Sequence, residues 1–409
     1  MNYSAHREAI YQPLREKGIF NWDRMYGQEY ALPHCLALEE KQCKEIRTAV
    51  EQMGAIIDTT VRVLQVADDE LLFAIGVPEA ALGAVRRISK WTKTTLLGRF
   101  DFAQTADGLK MIEFNADTPS GVVEAFHVNG SVCSYWQKKD PNAGMAERIR
   151  DVFACWRMAE QIGEDSVDVF SALGWHEEDA GNTRYLMKQS GWPATFFSLH
   201  ELMVSERGVF VAAADALRKV DVLFRMHPLE LLSRDCSEDG ERIGATLLRL
   251  AAQGKVRLVN PATALLGQTK ALQALIWAAF ESGDYYDKAQ TATIERYMLP
   301  TYFENRFHAR AAYVEKPLLG REGQGVRLYD AQGRCEFGTQ ESQYDDQSKI
   351  YQKRVELERC RVQTEQGDFE GCLLWGGFIL GGVASAILAR VGGQITDDMA
   401  YYQPICLRK

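Results

Sequence analysis

The hydrophobic pattern of the chain predicts a few long helices and many short strands. Apolar residues recur at three- and four-residue intervals over 36–66, the spacing that places them on one face of an α-helix. The same spacing predicts helices at 146–162, 244–253 and 269–281. Strand-like segments lie at 167–170, 220–224, 256–259, 312–316, 325–329 and 349–352. Because helices and strands mix without a regular βαβ alternation, we expect an α+β fold with a mostly antiparallel central sheet and flanking helices.

Apolar and polar residues alternate one by one within 98–121, and this pattern predicts a β-hairpin. One face of this hairpin is apolar: Phe100, Phe102, Ile112 and Phe114. The other face is polar: Arg99, Asp101, Glu113 and Asn115. A three-residue loop at 106–108 with a left-handed Gly108 would pair Thr105 with Leu109. In that register Asp101 lies opposite Glu113, and Arg99 lies opposite Asn115. A two-residue turn at 107–108 would shift the pairing by one residue and separate the two carboxylates.

The polar face of this hairpin is suited to a magnesium ion. Two carboxylates and an amide oxygen are hard donors, and Mg²⁺ commonly shares its coordination shell with waters and substrate phosphates. A solvated charged face is the alternative interpretation of the hairpin alone. The polar turn that follows, residues 116–121, carries Thr118, Ser120 and Gly121. Such a turn can present hydroxyls and backbone N–H groups to a carboxylate or a phosphate.

A second segment, 313–329, reads as strand, glycine-rich loop and strand. Lys316 ends the first strand, and Gly320, Gly323 and Gly325 allow the backbone to approach a ligand closely. Arg321 lies at the loop tip, where a cation can neutralise a phosphoryl group in transfer. Lys270, before an apolar helix, is a third candidate cation. The alternatives are a hairpin turn with a solvated arginine and an ordinary lysine at a helix start.

Composition narrows the class of protein. The chain has 409 residues and a formal net charge of −9, with scattered Lys and Arg residues, which argues against a nucleic-acid surface and is compatible with a polycation such as a polyamine. Nine cysteines without a Cys-x-x-Cys pair, and a start without an apolar core, are typical of a cytoplasmic protein. The uncharged run 372–389 is interrupted by paired glycines, so we expect two buried strands and no membrane span.

Five motifs occur in the order found in one family of ligases: Arg99-Phe-Asp101, Glu113-Phe-Asn115-Ala-Asp-Thr-Pro-Ser120, Lys270, Lys316-Pro-Leu-Leu-Gly-Arg321-Glu-Gly, and Arg390 followed by Ile395-Thr396. From about Asn21 to its end the chain resembles the glutathionylspermidine synthetases, which are ATP-grasp carboxylate–amine ligases. The resemblance implies an ATP-grasp fold of permuted order, similar to eukaryotic glutathione synthetases, because the metal hairpin precedes both lysines. It also implies one catalytic unit over 1–409, a stand-alone synthetase without the amidase domain of bifunctional members. Within that unit, 98–121 would form the metal and acid site and 313–329 the glycine-rich ATP lid.

The resemblance also implies roles for individual residues. Asp101, Glu113 and Asn115 would hold Mg²⁺, as two ions, between the ATP phosphates. The nucleotide would contact Lys270, Lys316, Glu322, Gly323, Gln352, Lys353, Ile395 and Thr396. Three arginines would stabilise charge during the reaction: Arg99, Arg321 and Arg390. The substrates would be bound by Arg99, Thr118, Ser120, Glu177 and Glu178, the last two lying near the family's acidic pair.

The reaction implied is the joining of a carboxylate, activated by ATP as an acyl phosphate, to an amine, with release of ADP and phosphate. Met226 and Leu231 stand where glutathione-using members have threonines. A buried hydrogen bond lost at such a site costs about 1 to 3 kcal/mol, so glutathione is less expected than the ligase reaction, and the acid would be glutathione or another peptide carboxylate. The amine would be a polyamine such as spermidine, or an amino acid. Two other functions stay open: a non-catalytic ATP-binding regulatory module, and a polyamine- or peptide-binding protein.

Overall fold

The computed structural model describes residues 2–213, 216–338 and 342–408. Its helices are α1 (Tyr3–Glu16), α2 (Glu40–Leu64), α3 (Asp69–Ala74), α4 (Leu82–Val85), α5 (Asn129–Tyr135), α6 (Glu147–Glu160), α7 (Glu177–Ser190), α8 (Leu229–Leu232), α9 (Ile243–Ala252), α10 (Ala264–Gln268), α11 (Ala271–Ser282) and α12 (Lys288–Tyr297). Its strands up to the middle of the chain are β1 (Arg24–Met25), β2 (Gln28–Glu29), β3 (Leu36–Leu38), β4 (Leu97–Thr105), β5 (Gly108–Asn115), β6 (Asp168–Ala172), β7 (Ala194–Ser198), β8 (Met203–Ser205), β9 (Gly208–Ala213), β10 (Ala216–Lys219) and β11 (Val222–Arg225). The later strands are β12 (Arg257–Val259), β13 (Thr301–Tyr302), β14 (Tyr313–Pro317), β15 (Arg327–Tyr329), β16 (Cys335–Gly338), β17 (Lys349–Lys353), β18 (Arg359–Thr364), β19 (Gly367–Leu380), β20 (Val383–Gly392), β21 (Tyr401–Tyr402) and β22 (Ile405–Leu407).

The largest sheet is antiparallel and contains the predicted hairpin. Its order is β21-β20-β19-β4-β5, and β18 pairs with β19. The uncharged run 372–389 forms most of β19 and β20, which meet at Gly381 and Gly382, both with positive φ. The expectation of two buried strands is therefore confirmed. No helix in the described part of the chain is long and apolar enough to span a membrane.

The glycine-rich segment belongs to a second antiparallel sheet of five strands. Its order is β13-β17-β14-β15-β16, and the lid loop, residues 320–325, connects β14 to β15. Lys316 lies opposite Ile350 in this sheet, next to the pair formed by Glu315 and Tyr351. This arrangement confirms the predicted order of strand, loop and strand.

A third sheet differs from the expectation of an antiparallel core, because its four strands are all parallel. Its order is β12-β11-β6-β7, and β6, α7 and β7 form a βαβ unit. The alternation was not visible in the sequence because the strands are only three to five residues long. In addition, the small antiparallel sheet β10-β9-β8 is inserted between β7 and β11.

The long amphipathic helix α2 covers the largest sheet. It is shorter than the pattern predicted, since Leu36–Leu38 form β3, which pairs in parallel with β22. The buried face of α2 includes Ile46, Val50 and Met53, and it packs against β19 and β20. A Cβ on Gly377 would lie 2.5 Å from Cγ2 of Val50, so this glycine allows the close approach of helix and sheet.

Candidate active site

The hairpin brings the predicted polar groups together, although its turn is not the one expected. Asp101 pairs with Glu113 and Arg99 pairs with Asn115, as predicted. The turn, however, pairs Thr105 with Gly108 and contains two residues, which by itself would place the carboxylates out of register. A β-bulge next to Asp101 and Phe102 shifts the pairing back by one residue.

The bulge also changes which residue faces the core. Met111 pairs with Phe102 and is buried, whereas Ile112, expected on the apolar face, lines the cleft. The side chains of Phe100 and Phe114 stack with ring centroids 4.0 Å apart. The carbonyl oxygen of Ile112 accepts a hydrogen bond of 2.9 Å from Nζ of Lys316. The bulge thus ties the hairpin to the second sheet.

Asp101 is the centre of a buried ion cluster. Arg99 donates to both its carboxylate oxygens, from Nε at 2.8 Å and from Nη2 at 3.1 Å. Arg390, from β20, which is separated from β4 by β19, donates to Oδ2 at 2.8 Å. Asp101 is fully buried. Burial disfavours the charge of Arg99, but Asp101 outweighs it and raises the pKa of the guanidinium above its usual value.

The two lysines complete this cluster around Glu113. Nζ of Lys270 lies 3.4 Å from Oε2 of Glu113 and donates to the carbonyl of Gly320 at 2.7 Å. Burial opposes ionisation of Glu113, but the surrounding lysines and arginines lower its pKa to about 2. Burial lowers the pKa of Lys316 to about 8, and Glu113 only partly opposes this. Glu113 is therefore ionised at neutral pH.

The three predicted metal ligands lie next to one another, and their oxygens are donors of the kind that Mg²⁺ prefers, although both oxygens of Asp101 are held by Arg99 and Arg390. Nδ2 of Asn115 lies 3.3 Å from Oδ2 of Asp101 and 3.4 Å from Oε1 of Glu113. A rotation of the amide would turn its oxygen towards the same point. Among the described residues no group of three His, Cys, Asp or Glu side chains could hold a metal ion, and the amide oxygen of Asn115 is the candidate third ligand beside the two carboxylates. The four cations around the two carboxylates leave an excess of positive charge, which suits a polyphosphate.

The predicted nucleotide-binding residues line the same cleft beside an apolar slot. Nζ of Lys316 donates to Oε1 of Gln352 at 2.8 Å. The amide of Gln352 in turn donates to Gln273 at 2.9 Å and to Thr301 at 3.2 Å, so this buried chain of polar groups orients the lysine. Lys353 also lines the cleft, as β17 ends. The apolar wall of the slot consists of Leu299, Val314, Leu328, Leu357 and Leu374.

The lid loop lies against the segment that follows β20. Glu322 and Gly323 both have positive φ, 52° and 72°. A Cβ on Gly323 would lie 2.7 Å from Cγ2 of Ile395 and 3.1 Å from the carbonyl oxygen of Thr396. Only a residue without a side chain allows this close contact. The loop therefore closes one side of the cleft, and Glu322, Ile395 and Thr396 line it.

The polar turn is fixed by residues that the sequence analysis did not select. Both oxygens of Asp117 are paired with the guanidinium of Arg225, and Oδ2 also accepts from the backbone of Leu229 at 2.9 Å. The buried side chain of Asn260 bonds to the backbone of Leu96, Leu97, Ala116 and Asp117. Nη1 of Arg99 donates to the carbonyl of Ser120 at 2.7 Å. Thr118, Ser120, Met226 and Leu231 all line the cleft beside this turn.

A group of acidic side chains also lines the cleft, namely those of Glu178, Asp179, Glu322, Asp397 and Asp398. Burial, reinforced by Glu124 and Asp179, raises the pKa of Glu178 well above its usual value. Glu177, predicted to contact the substrate, is exposed and lies outside the cleft. Successive residues of a helix point about 100° apart, so only the second of the two glutamates faces inward.

All predicted site residues except Glu177 and Asp101 line one cavity of about 400 Å³. Asp101 is fully buried, lies behind Arg99 and does not line the cavity. Two histidines, His176 and His227, line it as well. No local pattern selects Asp117, Arg225 and Asn260 beyond their positions in or near the motifs, because each contacts residues that are far away in the chain.

Comparison with known proteins agrees with this geometry. The profile of the glutathionylspermidine synthase preATP-grasp family matches residues 1–408. A Haemophilus influenzae protein described as a "Putative acid--amine ligase" is 28% identical over an alignment of 284 residues, and the match covers 64% of this chain and 63% of that protein. The chain thus matches less than two thirds of the length of that relative. A glutathione synthetase-like effector from Globodera pallida, solved without ligands, superposes with a TM-score of 0.59 at 11% identity, covering 100% of this chain and 98% of that one. This likeness shows the predicted α+β, ATP-grasp-type fold, and the match over nearly every residue shows that the chain belongs to the glutathionylspermidine synthase preATP-grasp family.

Proposed function

We propose that this protein is an ATP- and Mg²⁺-dependent ligase that joins a carboxylate to an amine. The observation that carries this proposal is that three kinds of group line one cleft. Lysines and arginines with the hairpin carboxylate Glu113, the hydroxyl-bearing polar turn, and a further group of carboxylates that includes Glu178 all line it. Such a cleft suits a polyphosphate, an acid and a cationic amine side by side. Family membership and the acid–amine ligase among its relatives support the same reaction class.

The chain's own residues provide binding, orientation and charge neutralisation. ATP would supply the γ-phosphoryl group that turns the carboxylate into an acyl phosphate, and Mg²⁺, held by Asp101, Glu113 and Asn115, would neutralise phosphate charge. Lys270 and Lys316 bind the phosphates, and the polar turn orients the acid. Arg99, with Arg321 and Arg390, stabilises the negative charge that develops on the acyl group. The lid loop excludes water, which would hydrolyse the activated acid.

The substrates are inferred from the chemistry of the cleft walls. Met226 and Leu231 form an apolar surface beside Thr118 and Ser120, which favours a peptide carboxylate with an apolar neighbour over glutathione. Glu178 and the other acidic side chains of the cleft favour an amine with more than one positive charge, such as spermidine. The product would be the amide, released with ADP and phosphate. In this proposal residues 1–409 act as one catalytic unit.

The proposal is tested by measuring Mg²⁺-dependent ADP release with spermidine and a panel of peptides that includes glutathione. We expect turnover with at least one peptide, and we expect the Arg99→Ala variant to lose it. Arg361→Ala serves as the control, because Arg361 forms an exposed ion pair with Asp368 away from the cleft. Turnover with glutathione alone would contradict the inference drawn from Met226 and Leu231. ATP binding without ADP release across the whole panel would contradict the ligase proposal itself.

A further inference from the structure

One buried carboxylate beside the cleft lacks hydrogen bonds. Glu230 lies in the single turn α8, and its side chain is only 3% exposed. Neither carboxylate oxygen accepts a hydrogen bond from the described residues. A buried carboxylate in this state is unfavourable unless an opposite charge compensates it. Its compensation therefore has to come from a nearby cation.

That cation is the arginine at the tip of the lid loop. Nη1 of Arg321 lies 3.6 Å from Oε1 of Glu230, and Nη1 has no hydrogen-bond acceptor in the described part of the chain. The other guanidinium nitrogen, Nη2, donates to the hydroxyl of Thr118 at 2.9 Å. The lid loop is also held at its first residue, where Gly320 accepts from Lys270. Arg321 thus reaches across the cleft to the polar turn.

The other charged groups around Glu230 do not compete for this role. Asp117 and Arg225 lie nearby, but each neutralises the other in a buried bidentate pair. Tyr344, the remaining titratable neighbour, has its pKa raised by burial and stays neutral. Burial raises the pKa of Glu230, and Arg321 opposes that shift. Arg321 is thus the cation that chiefly opposes the effect of burial on the pKa of Glu230.

We propose that Glu230 is a positioning residue, whose carboxylate holds the lid arginine Arg321 over the polar turn at the carboxylate-binding part of the cleft. This inference rests on the proposed ligase function for its catalytic consequence. Arg321 then lies beside the bound acid, at the group on which negative charge develops. The lid loop closes over the cleft together with this arginine. Thr118 provides the second contact and fixes the direction of the guanidinium.

The geometric part of this proposal is tested without any ligand, by trypsin cleavage after Arg321. In Glu230→Gln the neutral amide no longer retains the guanidinium, so we expect cleavage after Arg321 to become at least several-fold faster while other sites are cleaved as before. Hydrogen exchange of the peptide 318–328 should rise in parallel. Glu160→Gln is the matched control, because Glu160 is 4% exposed, pairs with Arg87 at 2.9 Å and lies far from the cleft. Equal cleavage rates in wild type and Glu230→Gln would overturn the proposal.

The catalytic part is tested by kinetics and by a double-mutant cycle. Glu230→Gln should lower kcat/KM for the acid at least tenfold and leave the dissociation constant of ATP within about twofold. If Glu230→Gln folds poorly alone, Arg321→Met keeps the proposal testable. Arg321→Met should lower the melting temperature by leaving Glu230 uncompensated, and adding Glu230→Gln should restore it. Additive effects would overturn the pairing, whereas absence of ADP release in wild type with the lid results intact would contradict only the proposed function.

Discussion

At the scale of single residues, Lys316 shows how the fold prepares a side chain for an anion. It is buried, donates to the bulge carbonyl of Ile112 and to Gln352, and lies close to a second lysine. These surroundings lower its pKa to about 8, so part of its charge is lost at mildly alkaline pH. A bound polyphosphate would favour the charged form and raise the pKa again.

This shift predicts that ATP binding weakens as pH rises. Below pH 8 Lys316 is charged with or without nucleotide, so the dissociation constant of Mg-ATP should change little. Above pH 8 binding must first return a proton to the free lysine, and the constant should increase up to about tenfold per pH unit. Titration calorimetry between pH 6.5 and 9.5 measures this. The Lys316→Arg variant should show no such rise, and a flat profile for the wild type would contradict the assignment.

Asp101 has a structural role that is separate from any metal. Its replacement by Asn would leave Arg99 and Arg390, now paired with it at 2.8 Å each, without that counter-charge. Breaking a buried pair in this way costs about 3 to 5 kcal/mol, and we expect that loss in the free energy of unfolding measured with urea. Asp368→Asn, which breaks an exposed pair with Arg361, should cost less than about 1 kcal/mol. Similar losses for both variants would refute a buried cluster.

The residues that sequence analysis found and those that it missed differ in the range of their contacts. The pairing of Asp101 with Glu113 follows from local alternation within one hairpin, and it was predicted. Asp117 and Arg225 are 108 positions apart, and Thr118 and Arg321 are 203 positions apart. No periodicity links positions so distant, so these contacts follow only from the packed fold. The bulge at Ile112 was missed because the shorter turn and the bulge each shift the pairing by one residue in opposite directions. The pairing of Asp101 with Glu113 is therefore the one that a regular hairpin with a three-residue loop would have.

At the scale of elements, the lid loop depends on a glycine for its contact with the segment after β20. Alanine at Gly323 would meet both a strained backbone, with φ of 72°, and the groups of Ile395 and Thr396. Gly283 has φ of 79° with nothing within 4 Å, so Gly283→Ala is a control with the same strain and no clash. We expect similar melting temperatures for the two variants and a loss of at least tenfold in kcat/KM for ATP only in Gly323→Ala. Equal activities would mean that lid closure does not use this contact.

The parallel sheet shows why elements can be predicted while their arrangement cannot. The strands at 167–170, 220–224 and 256–259 were each identified from their apolar residues, and they correspond to β6, β11 and β12. Their parallel pairing depends on the helices that cross over between them and on which edge each strand joins. A strand of three residues such as Arg257–Val259 carries too short a pattern to indicate its direction. The fold class was thus predictable, but one of its sheets was not.

At the scale of the whole molecule, one cleft is lined both by lysines and arginines and by five acidic side chains, Glu178, Asp179, Glu322, Asp397 and Asp398. These acidic side chains predict that amine recognition is electrostatic. Between 20 and 200 mM salt the KM for spermidine should rise several-fold, while that for butylamine, with a single charge, should start higher and change less. The two amines are compared in the ADP-release assay with the best acid of the panel.

The neighbouring glutamates of α7 provide the matched pair of variants for this last prediction. Glu178 lines the cleft, whereas Glu177 points to solvent one position earlier. Glu178→Gln should raise the KM for spermidine several-fold and reduce its salt dependence, because a bound polyamine favours the charged form of Glu178 and the amide cannot carry that charge. Glu177→Gln removes the same charge outside the cleft and should leave the KM close to that of the wild type. If Glu177→Gln had the larger effect, the amine would have to bind outside the cleft, and the sequence-based assignment of Glu177 would be restored.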